Sequence, residues 1–242
     1  MNRALFAAAT GMAAQQQNLE TIADNLANAD VAGFKGATAT FTDVASPSGG
    51  SLGTESLGTH RVFAQGKLVH SGGPFDVALQ GDGFFVVDNE SGREAYTRDG
   101  EFSRSPDGAL RNAQGWRLHG VRIPSDAVSI AVSQDGTVTA SVPGGKRACG
   151  RIGVAQFTAP EALESAGGTI FFQTHDSGKA RAAHCGGKDG PAVVFGMLEQ
   201  SNVTIVQAMM EILAAQRAYE ANAKGVQAAD EMMRIANNLQ RG

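Results

Sequence analysis

The sequence is short of the residues that most chemistry requires. It has two cysteines, Cys149 and Cys185, and neither falls in a CxxC pair; His184 adjoins Cys185, but no cluster follows. A structural zinc site needs more ligands than this. Two unpaired thiols or one Cys149–Cys185 disulfide in an oxidising compartment are both compatible with the count. Aromatic residues are only 6% of the chain, with a single Trp. That scarcity, set beside 31 Gly, points to many turns and small cores. No long basic run occurs and the formal net charge is -4, which argues against nucleic-acid binding by a concentrated positive face. No stretch approaches the ~20 apolar residues that span a bilayer. The N-terminus has no cleavable leader pattern, because Gln15-Gln16-Gln17 interrupts the Ala-rich start. On these grounds alone the default location is cytoplasmic, unless a different export route exists.

Motifs of catalysis are missing as well. Gly81-Asp82-Gly83 has no following Lys/Ser pair or helix, so it reads as a hairpin turn. Asp76, Asp82, Asp99, Asp107 and Asp135 lack the spacing of a calcium loop and read as turn residues. His60, His70, His119, His175 and His184 are scattered with no HExxH spacing, and no GxSxG elbow appears. The expectation is a chain with no catalytic residues, no cofactor and no metal. The competing reading, a β-domain enzyme that cleaves cell wall, has no carboxylate pair to support it.

What the sequence does have lies at its ends. Ile212, Tyr219, Val226 and Met233 recur every seven residues, with Ala208, Ala215, Asn222, Ala229 and Ala236 in a parallel ladder. At the head, Leu5, Met12, Leu19 and Leu26 run beside Ala8, Gln15, Ile22 and Ala29. Alternating steps of three and four place each pair of ladders on one helix face. A stripe of this length needs a partner helix, because one helix cannot bury its own stripe. The two ends, or neighbouring copies, are the natural partners. The polar faces carry more acid and amide than base, unlike an interfacial membrane helix.

Between the ends, composition changes twice. Residues 32–74 read as an extended arm with a Gly/Ser-rich loop at 46–53. Residues 75–200 carry short alternating segments punctuated by Asp-Gly and Asn-x-x-Gly turns, the pattern of an antiparallel sandwich or barrel. The expected architecture is α+β: terminal helices, 1–31 and 201–242, pair in a coiled-coil-like core; 32–74 is the arm; 75–200 is a β-rich outer domain.

Three stretches together resemble one family. Asn25-Leu26-Ala27-Asn28 with Gly33-Phe34-Lys35, then Asp76 to Phe85 with Ala95-Tyr96-Thr97-Arg98-Asp99-Gly100, and then Leu198-Glu199-Gln200-Ser201-Asn202-Val203 with Gln216 to Lys224 are similar to bacterial flagellar axial proteins, the rod and hook group. Within it, Ile123-Pro124 and Ser133 to Val138 are most similar to distal rod members, although the segment after the first strand, 43–59, is shorter than is usual there. The resemblance implies a structural subunit whose terminal helices pack into a helical tube around an export channel and transmit torque. Distal rod is favoured over proximal rod or a hook-like position. It implies as partners further copies of itself, other rod and hook proteins, the type III export apparatus and the surrounding bushing rings, with no nucleic acid and no membrane insertion. It implies export without a cleaved leader to a periplasmic basal body, where a Cys149–Cys185 bond gains plausibility. The residues assigned to assembly are Leu5, Met12, Leu19, Ile22, Asn25, Leu26, Asn28, Gly33, Phe34, Ile212, Tyr219, Val226 and Met233.

Overall fold

The computed structural model describes residues 3–45, 51–187 and 190–239. Its class is α+β: one helix at each end and an antiparallel β domain between them. The chain divides into two compact units.

The first unit holds the helices and a β ribbon. Helix α1 runs Arg3–Ala27 and α2 runs Ile205–Leu239. Neither contains Pro, and each tolerates one Gly. They pack antiparallel, since a Cβ on Gly11 would meet Asn222 Nδ2 at 2.9 Å while Ile22 clusters with Ala208 and Ala215. Small residues at the crossing let the backbones approach closely: Gly11 faces Asn222 and Gly225 faces Ala8. Leu19, Leu26, Val203 and Ile212 seal the better-packed end of the pair. The 35 residues of α2 outrun the 25 of α1, by roughly 15 Å at the standard rise.

The expected arm, 32–74, is split between the units. Ala37–Ala45 and Ser51–Arg61 form an antiparallel two-stranded ribbon in the first unit. The Gly/Ser loop expected at 46–53 falls largely outside the described residues, which resume at 51. A lone two-stranded ribbon is marginal in water, and this one is fastened to a second face of α1. Thr54 N–H donates to Thr10 Oγ1 at 3.2 Å. At the other end the Asn25 amide bonds Ala37 in both directions, Nδ2 to its carbonyl and Oδ1 from its N–H, each 2.7 Å. An Asn side chain thus replaces the strand that would otherwise satisfy that backbone.

The second unit comprises Asn28–Lys35 and Phe63–Asn202. Its main sheet is antiparallel throughout, with Phe84–Asp88 near the centre, flanked by Glu94–Thr97, Arg117–Arg122 and Val154–Gln156. Phe84–Asp88 is buried on both faces, as its unbroken apolar run predicts. Phe85 and Val87 enter the larger core with Val77, Leu79, Leu118 and Val138. Phe84 turns to the other side, among Tyr96, Ala155, Leu163 and Phe171. That smaller core is aromatic, and Phe63 meets Phe84 and Phe171 edge-on at 5.2 and 5.1 Å. Each buried ring contributes about 1.5–3 kcal/mol by area alone. The turn aspartates serve their own turns: Asp135 Oδ1 accepts from Thr137 N–H at 3.1 Å, and Gly136 takes a φ of 82°. One strand, Gly145–Arg151, arises where the sequence shows no apolar alternation, since Lys146, Arg147 and Gly150 dominate it. It is held by its hairpin with Thr137–Val142. Both cysteines are free thiols here, with Cys149 in the larger core and Cys185 packed at its margin, so the Cys149–Cys185 bond is not formed.

Candidate assembly interface

The residues assigned to assembly fall into two sets. On α2, Ala208, Ala215 and Ala229 are buried and Ile212, Val226 and Met233 are half-buried, while Tyr219 is 39% exposed. On α1, Ile22 is buried, and Leu5, Met12, Leu19 and Leu26 are half-buried. Of these, Leu19, Ile22, Leu26 and Ile212 pack together with Ala208 and Ala215 between the two helices. The side chain of Ala236 lies outside the described residues. Asn25 clasps the ribbon.

A second apolar face on α2 has no cover within the first unit. Val206, Met209, Met210 and Leu213 share one side of the helix by spacing, opposite the seam. Met210 is 59% and Leu213 55% exposed. The same side carries Arg217, Glu220 and Lys224 in mid-helix, and then Met232 and Ile235, exposed again. Isolated exposed apolar residues are ordinary, but four within two turns of one helix mark a binding surface.

Gly33 and Phe34 go elsewhere. The connector after α1 is built into the second unit, where Phe34 is 1% exposed. Gly33 takes a φ of 67°, and a Cβ there would collide with the backbone of Arg98 and Asp99. Its N–H donates to the carbonyl of Glu199 at 2.7 Å. Asn28 begins this connector, and its carbonyl accepts from Val31 N–H at 3.1 Å.

The centre of the junction is a buried charge cluster that the sequence reading did not single out. Lys35 Nζ donates to Glu199 Oε1 at 2.6 Å and to the Ala64 carbonyl at 2.7 Å; both charged side chains are fully buried. Gly66 N–H donates to the same carboxylate oxygen at 2.8 Å. Arg98 Nη1 lies 3.5 Å from Glu199 Oε2, with its own side chain 2% exposed. Two buried cations therefore share one carboxylate, and Arg98 Nε has no hydrogen-bond partner among the described residues. Burial pulls the Lys35 ammonium below its ordinary range, and Glu199 opposes that shift. The signal was available, because Lys35, Arg98 and Glu199 each sit inside one of the three motif stretches and are flanked there by apolar or turn residues.

Next to Arg98, burial lifts the Asp99 carboxyl from 3.8 to about 6, against the Glu101 N–H that bonds its charged form. The native state thus holds this proton more tightly than the unfolded chain does. Its contribution to stability is complete below 3.8 and is lost as pH rises through about 6. Asp99→Asn should therefore match the parent near pH 4 and exceed it by up to about 3 kcal/mol near pH 8. Urea unfolding of both chains across that range reads the difference; a constant gap would contradict the burial account.

Termini on paired helices, a further apolar helix face and a β domain between them define the class: an assembly subunit. Comparisons with known proteins agree. Residues 5–35 match the model of flagella basal body rod proteins, 78–140 that of the flagellar hook protein FlgE/F/G D1 domain, and 195–239 that of the flagellar basal body rod FlgEFG protein C-terminal region. The chain is 36% identical to the flagellar basal-body rod protein FlgG of Borreliella burgdorferi, with all of both chains covered. It is 32% identical to FlgG of Bacillus subtilis, also over the whole of both. Against the rod protein FlgF of Salmonella typhimurium it is 32% identical, covering 99% of this chain and 98% of that one. The chain belongs to the flagellar basal-body rod protein family. It is a structural subunit and not an enzyme.

Proposed function

We propose that this chain builds the distal part of the flagellar rod by packing copies of itself into a helical tube that transmits torque and encloses an export channel. The observation that carries the reading is the α2 face of Val206, Met209, Met210 and Leu213, uncovered among the described residues and opposite a seam already used within the chain. One face joins α1 and α2 in a coiled-coil-like pair, and the other meets the next copy. Contacts of this head-to-tail kind, when they do not close, produce a helical filament. The terminal helices, 1–31 and 201–242, form the tube wall, the arm 32–74 links, and 75–200 forms the outer layer. Leu5, Met12, Leu19, Ile22, Leu26, Ile212, Tyr219, Val226 and Met233 set the pair. Export without a cleaved leader, a periplasmic location, and contacts with the export apparatus and bushing rings belong to the same reading.

The test is assembly of purified full-length chain carrying Met210→Asp or Leu213→Asp. Each should leave the unfolding midpoint within a few degrees of the parent while removing rod-like polymers from sedimentation and negative-stain images. Polymers formed as readily as by the parent would defeat the proposal.

A further inference from the structure

Two clefts adjoin on the β unit, where the hairpin Ser103–Arg111 meets the strands Arg117–Arg122 and Gly145–Arg151. One has a volume of about 420 Å³ and is lined by Arg104, Arg122 and Arg147; the other, about 300 Å³, holds Arg117 and His119. They share Asp107 and Arg122, so they are neighbours and are treated together as one arginine-lined groove. Its charges do not balance. Asp88 is taken by Arg117 at 2.6 Å, and Asp107 lies 3.7 Å from Arg111. Arg104, Arg122 and Arg147 pair with no acid among the described residues. Arg122 is tethered only through Nε, which donates to the Asp107 carbonyl at 3.1 Å. A cluster of unmatched guanidinium groups is unusual on a chain whose net charge is -4.

We propose that this groove receives an extended acidic segment of another protein, held by carboxylate–guanidinium pairs. Arginine's planar fork matches a carboxylate in two-point geometry. Two adjacent clefts with arginines in each suit a segment that reaches both better than a single small anion. No Phe, Tyr or Trp lines either cleft, and His119 is the one aromatic ring there. The chain's own sequence contains no acidic run, so a second copy does not supply the segment. This inference is independent of how the helices assemble.

The experiment uses the full-length chain and a fluorescent hexaglutamate peptide, read by anisotropy. Hexaglutamine, hyaluronate and inorganic phosphate serve as competitors. The peptide should bind, weaken steeply between about 0.05 and about 0.3 M salt, and lose roughly tenfold or more in affinity to R104Q/R122Q/R147Q. Arg147→Gln alone, at an exposed side chain, should lose a measurable part of this with an unchanged circular dichroism spectrum. Equal binding by the parent and both variants overturns the proposal. Hyaluronate or phosphate displacing the peptide at equal charge concentration, with the same arginine dependence, also overturns it in favour of a glycan or a small anion.

Discussion

Glu199→Ala should cost the β unit about 3–5 kcal/mol, enough to unfold much of it at ordinary temperature. The carboxylate lies within reach of two buried cations, Lys35 at 2.6 Å and Arg98 at 3.5 Å. Removing it deprives both of their shared counter-charge in a low-dielectric interior, and it strips Gly66 N–H of its acceptor. Glu199→Gln should fall between the parent and Ala, because an amide oxygen still accepts from Gly66 and Lys35 but no longer neutralises them. Lys35→Met should be milder than either, since Glu199 then keeps Arg98. Urea unfolding followed by Trp116 fluorescence gives the order. If Lys35→Met proved as damaging as Glu199→Ala, the cluster would be a packing site and not an electrostatic one.

Gly33→Ala is the second large expected loss, at least about 3 kcal/mol. Two penalties coincide there. The φ of 67° disfavours any Cβ, and the space a Cβ needs is filled by the backbone of Arg98 and Asp99, which cannot rotate away as a side chain can. Gly92 is the control: its φ is 79° but nothing lies within 4 Å. Gly92→Ala should therefore cost only about 1 kcal/mol. Similar losses at the two sites would mean that steric contact at Gly33 is relieved by movement of the connector. Both variants are read by thermal unfolding of the full-length chain.

The helices were legible because their signal is periodic and local. Ladders seven residues apart survive in the burial of Ala208, Ala215, Ala229 and Ile22. The turns were legible for a similar reason: Asp107, Asp135 and Asn112 each accept from a backbone N–H two to four residues on. The ribbon at Ala37–Ala45 was readable only as extended chain. What fixes it is Asn25 and Thr10, polar residues on a helix face that apolar periodicity does not mark. The strand Gly145–Arg151 was hidden because its pairing, and not its composition, makes it a strand. Gly33 and Phe34 anchor the connector inside the β unit, Gly33 with a left-handed φ and Phe34 buried. The charge cluster was invisible to spacing, since its members stand at 35, 98 and 199, and only the folded sheet brings them together. The second apolar face of α2 was written in Val206, Met209, Met210 and Leu213, but the stronger ladders beside it drew the reading.

The Lys35–Glu199 pair joins positions 164 residues apart. A chain that emerges from its amino end therefore cannot close this clasp until more than four-fifths of it has been delivered. The buried clasp therefore closes only once residue 199 has joined the folding chain.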